Sequence, residues 1–530
     1  MPPAPHQDDH HGPLSPWKSL GLVLGPIAAL VAYFLLTGTL RGGVPVAGLS
    51  TTACACAAVA TLMAIWWLTE AIPLAATALL PLALFPVLNI STMKETAAPY
   101  GDEIVFLFLG GFLIQLAMER WGLHRRIALI IMLAVGTGPV RLIGGAMLAT
   151  AFISMWVSNA AAAAMMLPIG MSLCQRLAQR GGGGLAAEAP AIAPNLHPDP
   201  NIRNFATSCM IGIAWAATIG GLATPIGTAP NVQLVAYLER NQLIDITFAK
   251  WLWIGLPLSG ALLLVSWLLL TRVFFPIRLA PDANAPPPRL AIREDYRALG
   301  PVKPGEWATL AVFLIAVAGW LFQNPIAHTL GLTRTRPDGS TIVMLTDAGV
   351  AITAGLLLFL IPVNPRRGTF VLDWHWAAKM PFGVLILFGG GLSLAAAITA
   401  TGLDRAIAQP LQGLAGTHPI LMILAITAAA VFLSELVSNT ALTATLLPIV
   451  GAAATQLDIH PALVLIPTAL GASAAFMMPA GTPPSAICLS SGYFTIGQMA
   501  RVGLVLNLIG IALVTLVVYT IAPTALALPK

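Results

Sequence analysis

The sequence predicts an all-α polytopic membrane protein: about eleven transmembrane helices plus two re-entrant helical hairpins, arranged as two inverted-topology repeats. Three observations predict it. Of 530 residues, 57% are hydrophobic and 9% charged, with a mean hydropathy of +0.85, whereas soluble proteins carry about 25% charged residues. Apolar runs of the length that crosses a bilayer recur along the chain. A motif with a polar centre occurs twice at a fixed offset, as internal duplication requires.

The composition excludes a cytosolic enzyme, a nucleic-acid module and a secreted disulfide scaffold. The formal charge of +5 is spread over short loops and reads as a topology signal. Cys54, Cys56, Cys174, Cys209 and Cys488 are scattered, which matches neither a zinc set nor a disulfide framework. Residues 1–16 form a polar tail containing His6, Asp8, Asp9, His10 and His11, read as disordered and cytoplasmic. A weak metal site there is the lesser alternative.

Spans are expected near 19–37, 49–69, 72–90, 103–121, 205–238, 250–275, 305–323, 344–362, 382–400, 461–494 and 500–523. The apolar segments 139–175 and 418–457 are too long for one crossing and carry a Ser-Asn pair at their middle, the pattern of a hairpin that enters the membrane and turns back. With residue 1 inside, 18 of the 26 Lys and Arg residues fall inside, as the positive-inside rule requires. The amino terminus is then cytoplasmic and the carboxyl terminus periplasmic, in a bacterial inner membrane.

The chain divides into a first repeat over 17–275, a cytoplasmic linker over 276–304 with Pro286-Pro287-Pro288, and a second repeat over 305–530. Ala151–Ile169 matches Val431–Ile449 at an offset of 280, with ten of nineteen positions identical, and the same offset pairs Gly110-Gly111 with Gly390-Gly391. Gly227-Thr228-Ala229-Pro230-Asn231 matches Gly481-Thr482-Pro483-Pro484-Ser485 at an offset of 254. The Gly181–Gly184 run with its following prolines is a loop that only the first half carries. Seven arginines flank the first hairpin (Arg120, Arg125, Arg126, Arg141, Arg176, Arg180 and Arg203) but only Arg405 the second, so the hairpins enter from opposite sides. Inverted repeats with broken elements at matching positions point to a transport site.

Each hairpin reads Ser-x-x-x-Ser-Asn, so on a helical arm the two serines share one face. Their hydroxyls, the Asn amide oxygen and freed carbonyls form a neutral all-oxygen set suited to a weakly held cation such as Na+. Proline in Gly-Thr-x-Pro unwinds the span and exposes carbonyls, and Gly227 and Gly481 allow close backbone approach. Free N–H groups at the following helix starts favour an anion. Serine or threonine in a membrane helix ordinarily bonds its own backbone or a neighbouring helix, and the duplication of the whole set argues against that reading here.

Glu70 and Glu435 are intramembrane or near-interface acids. For Glu70, interface anchoring or helix capping before Pro73 is the expected role. Glu435, opposite Met155 in the repeat, serves either a hairpin-specific hydrogen bond or cation attraction. Gly389–Gly391 is expected to allow close helix packing.

The chain resembles the divalent-anion/sodium symporter family, transporters of dicarboxylates, citrate or sulfate. The resemblance rests on Trp66-Trp67-Leu68-Thr69-Glu70-Ala71-Ile72-Pro73, Phe108-Leu109-Gly110-Gly111-Phe112, the two Ser-Asn tips, Thr224–Asn231 and Gly481–Pro484. It implies a homodimer whose protomers each hold a scaffold domain (helices 19–90 and 305–362) and an elevator-type transport domain (103–275 and 382–523). It places substrate at Asn159, Ala160, Asn439, Thr440, Thr482 and Pro483. One sodium falls near Ser154, Ser158, Asn159 and Gly227, the other near Ser434, Val437 (carbonyl), Asn439 and Gly481. Two positions depart from the family pattern: Ala160 stands where threonine is usual and Ser485 where asparagine is.

The expected function is therefore sodium-coupled symport of a divalent anion, a C4-dicarboxylate such as succinate or malate, with Na+ as coupling ion and no cofactor. The alternatives are a sodium-independent dicarboxylate exchanger, sulfate or citrate as substrate, and, from another class, an anion channel. No motif of an intramembrane enzyme is present in the sequence.

Overall fold

The computed structural model describes residues 16–39, 46–136, 138–178, 198–278, 288–335, 341–409, 418–454, 460–479 and 482–528. The amino-terminal tail before Pro16, the Gly181–Gly184 run, most of the proline-rich part of the linker and Gly481 lie outside them. The described chain is mostly helical, and nine of its helices are long and apolar enough to cross a membrane. Eight of these coincide with expected spans: Pro16–Leu36, Thr51–Thr69, Glu103–Trp121, Pro200–Leu222, Phe248–Phe274, Pro304–Leu321, Phe382–Thr401 and Ile496–Thr520. The ninth, Asn159–Ala178, is the second arm of the first hairpin, and its 20 residues suffice for a crossing.

Three stretches differ from expectation, each for a local reason. The 72–90 segment is two short helices, Leu74–Thr77 and Leu80–Val87. Pro81 and Pro86 have no N–H to continue the ladder. A helix over Leu123–Val135, launched by Gly122 at φ 71°, was not expected. Arg125 and Arg126 in its first turn mask an apolar face that buries Leu123, Ala128, Leu129 and Met132. Two short antiparallel ribbons, Thr333–Thr335 with Thr341–Val343 and Pro362–Asn364 with Thr369–Phe370, flank the helix Asp347–Leu360, so the fold is not wholly α.

The duplication is visible in the packing. In each half the first hairpin arm (Pro139–Ser154 or Pro419–Ser434) lies along the helix before the break of its own repeat (Pro200–Leu222 or Ala462–Ser473). The second arms pack on that same helix of their own repeat and also reach across to the other. Asn159–Ala178 packs on Pro483–Leu489 of the second repeat, and Asn439–Ala454 packs on Ala229–Arg240 of the first.

Close approach depends on glycine at Gly390, as expected, where a side chain would strike the Ala78 backbone, and at Gly220, which was not singled out, where one would strike the Ala151 backbone. Gly389 packs against Tyr100, while Gly391 has open space. Glu70 is the left-handed cap that ends Thr51–Thr69 (φ 47°), its amide bonding the Trp66 carbonyl, which is the capping role expected of it. The helix Leu123–Val135 is pinned to the start of the second repeat by the buried pair Arg126 and Glu306, at 2.5 Å, with a further bond from Arg126 to the Gly300 carbonyl.

Candidate functional site

Both hairpin arms end in the same way. After Ser154 and after Ser434 the helix gives out over four residues, and the next helix begins at Asn159 or Asn439. Each serine is fully buried, donates to a carbonyl of the packed neighbour (Ala217 at 2.6 Å, Ala472 at 2.6 Å) and lies within 2.8 Å of the Asn carboxamide that opens the second arm. One hydroxyl carries one proton: with Asn159 Nδ2 turned inward Ser154 donates to Ala217 and accepts from the amide, whereas the Ser434 proton is shared between the Ala472 carbonyl and Asn439 Oδ1.

In the first half this cluster gathers oxygens. The inner atom of the Asn159 carboxamide sits 2.8 Å from Ser154 Oγ, 3.2 Å from the Ala217 carbonyl oxygen and 3.1 Å from that of Gly227, and with Nδ2 turned inward it donates to all three. Turned the other way, the carboxamide presents Oδ1 at the same point, and the resulting set of hydroxyl, amide and carbonyl oxygens suits a hard, weakly held cation. Gly227 is required here, because a Cβ would come within 2.6 Å of the Gly221 carbonyl oxygen.

The two breaks are held differently. In the first, Asn231 Nδ2 reaches back to the carbonyls of Gly221 (3.2 Å), Leu222 (3.4 Å) and Thr224 (2.9 Å). Thr224 Oγ1 donates in turn to the Met155 carbonyl on the first turn at 2.5 Å. The second break has Ser485 in place of Asn231, and that short side chain accepts from Thr482 Oγ1 (2.8 Å). The unwound strand is instead held from outside. Glu435 accepts from the backbone N–H of Met477 (2.8 Å) and Met478 (2.7 Å) and from Asn507 Nδ2 (2.6 Å), while Asn507 Oδ1 accepts from the Phe476 N–H (2.9 Å).

Between the turns and breaks lies a cavity of about 340 Å³. Ser158, Asn159 and Ala160 from the first turn face Ser438, Asn439 and Thr440 from the second, with Gly227–Ala229 and Thr482–Pro484 completing the wall. Among the described residues no lining residue is charged. Four helices begin at this cavity, at Asn159, Ala229, Asn439 and Pro483, each bringing a positive helix end of roughly half a charge. An uncharged hollow ringed by helix N-termini and amide and hydroxyl groups is chemically matched to an anion.

All six residues expected to meet the substrate therefore line one hollow. Ser154, Asn159 and Gly227 meet as expected, and Ser158 is on the adjoining wall; Ser434 and Asn439 meet likewise, with Val437 on the turn between them. Gly481 is outside the described residues. Sequence reasoning missed Gln115, whose Oε1 accepts from the Ser158 N–H at 3.3 Å and which lines the cavity with Phe108, Phe112 and Trp156. A lone amide in the apolar run Glu103–Trp121 was the available signal, as was Asn507 in Ile496–Thr520.

The sodium:sulfate symporter transmembrane region model matches residues 27–524. The chain is 37% identical over 510 residues to a sodium-dependent dicarboxylate transporter SdcS of Staphylococcus saprophyticus, covering 96% of this chain and 92% of that one. It is 37% identical over 517 residues to the protein of the same name in Staphylococcus aureus, covering 97% and 93%. The fold is similar to solved structures of the Alcanivorax borkumensis YdaH transporter (TM-score 0.54, 14% identity, 95% and 98% coverage) and Neisseria gonorrhoeae MtrF (TM-score 0.57, 11% identity, 96% and 95% coverage). With its duplicated turns and breaks meeting at one uncharged cavity and this similarity along nearly its whole length, the chain belongs to the sodium:sulfate symporter family.

Proposed function

We propose that this protein is a secondary active transporter that couples Na+ entry to uptake of a divalent anion, a C4-dicarboxylate such as succinate or malate. The observation that carries the reading is the shared wall: Asn159 and Asn439 each belong both to an oxygen cluster suited to Na+ and to the cavity suited to an anion. Ions that complete one face of the anion cavity make the two bindings mutually favourable, as linkage requires. The names of the staphylococcal relatives support sodium and dicarboxylate as the pair.

In this reading the turns at 155–158 and 435–438 are tips of re-entrant hairpins entering from opposite sides. Two sodium sites sit at Ser154, Ser158, Asn159 and Gly227 and at Ser434, the Val437 carbonyl, Asn439 and Gly481. The substrate carboxylates lie against Asn159, Ala160, Asn439, Thr440, Thr482 and Pro483. The hairpins and broken helices move as an elevator past a scaffold drawn from 19–90 and 305–362, in a homodimer of the bacterial inner membrane with the amino terminus inside.

Uptake of radiolabelled succinate into proteoliposomes tests this, with an inward Na+ gradient, with K+ in its place, and with vesicles preloaded with unlabelled dicarboxylate. Accumulation that requires the Na+ gradient is the expected result. Uptake that requires only internal dicarboxylate makes the protein an exchanger, and uptake of sulfate or citrate but not succinate reassigns the substrate.

A further inference from the structure

Glu435 is 5% exposed, and all of its polar contacts are donors: two backbone N–H groups and the Asn507 amide. The Phe476 N–H occupies Asn507 Oδ1, which fixes that amide with Nδ2 toward Glu435. The partner set is that of a carboxylate. Among the described residues no Lys, Arg or His forms an ion pair with it. A buried charge without a cationic partner is costly to retain unless something else uses it.

Its position indicates the use. Glu435 follows Ser434 directly, and the strand it holds, Phe476–Met478, leads into Thr482 and the second cluster. The first half has no counterpart: Met155 stands at the equivalent position, and its break is tied by the neutral Asn231. We propose that Glu435 makes the two cation sites unequal, shaping the strand beside the second site through Met477 and Met478 and lending that site a fixed negative charge, so that it binds Na+ more tightly than the first. This rests on the sodium-symport reading. Unequal sites fill in order, the second-repeat site first.

The test reads Na+ binding apart from transport, as the Na+ concentration that half-maximally raises the melting temperature of the purified full-length protein, with K+ as control. In Glu435→Gln the midpoint rises about tenfold, the order expected for losing a nearby unit charge in a low-dielectric site. In Asn507→Leu, which keeps the charge but drops one clamp, it rises about threefold or less. An unchanged midpoint in Glu435→Gln overturns the proposal, and so do equal shifts in the two variants, which would make the role one of shape alone. A second pair guards against a Glu435 variant that does not fold: Ser434→Ala shifts the midpoint more than Ser154→Ala, and equal shifts overturn the inequality. An unmodified protein with no Na+-specific response overturns the symport reading itself.

Discussion

The two halves hold the same turn and the same break, yet they close the break with opposite chemistry. In the first, an internal donor, Asn231, gathers three orphaned carbonyls. In the second, an external acceptor, Glu435 with Asn507, gathers three orphaned N–H groups. Both satisfy the rule that buried backbone polar groups find partners. What differs is charge. Duplication preserved the Ser–Asn geometry to within 0.1 Å (2.8 and 2.7 Å), while the clamps diverged.

The largest expected effect breaks the symmetry at its centre. Asn159→Ala and Asn439→Ala each reduce Na+-driven succinate uptake by about two orders of magnitude or more if, as proposed, each asparagine serves cation and anion together. Uptake by either variant within tenfold of unmodified protein would show that its half is dispensable. Next is Gly227→Ala, whose methyl has no room against the Gly221 carbonyl. It lowers uptake about tenfold by raising the Na+ requirement, read as a shifted Na+ dependence with succinate saturating.

A smaller effect sharpens the contrast between clamps. Asn231→Leu leaves three buried carbonyls without their donor, costing about 1–3 kcal/mol, and lowers the melting temperature in Na+-free detergent. The smallest is a gain. Ala160→Thr restores to the first tip the hydroxyl that Thr440 supplies to the second, and lowers the succinate KM about threefold if that hydroxyl reaches the anion; an unchanged KM means the two tips meet the substrate unequally.

Composition and repeat were enough to read the class of fold, the two turns and the two breaks, and the family resemblance supplied the residues expected at the cavity. Ser-Asn and Gly-Thr-x-Pro carry their geometry locally, in a helix stop and a missing N–H, so their sequence is their structure. Three things lay beyond that reach. The helix Leu123–Val135 hid because hydropathy averages its arginines with its apolar face. Gln115 hid because one amide in an apolar helix says nothing of what it faces. The use of Glu435 hid because its partners, Met477, Met478 and Asn507, lie 42 to 72 residues away, and only packing brings them to it.

The crossing of the second arms bears on how the molecule is made. Asn159–Ala178 completes its contacts only when Pro483–Leu489 exists, and Ala229–Arg240 only when Asn439–Ala454 does. Synthesis runs from the amino end, so the first-repeat elements leave the ribosome with their partners 199 residues or more further along the sequence. At the usual rate of about 5–20 residues per second, they wait ten seconds or more, on the order of magnitude, with their helix starts uncovered. Neither repeat builds the cavity alone, and a chain cut in the linker yields two inserted halves that become a transporter only by finding each other.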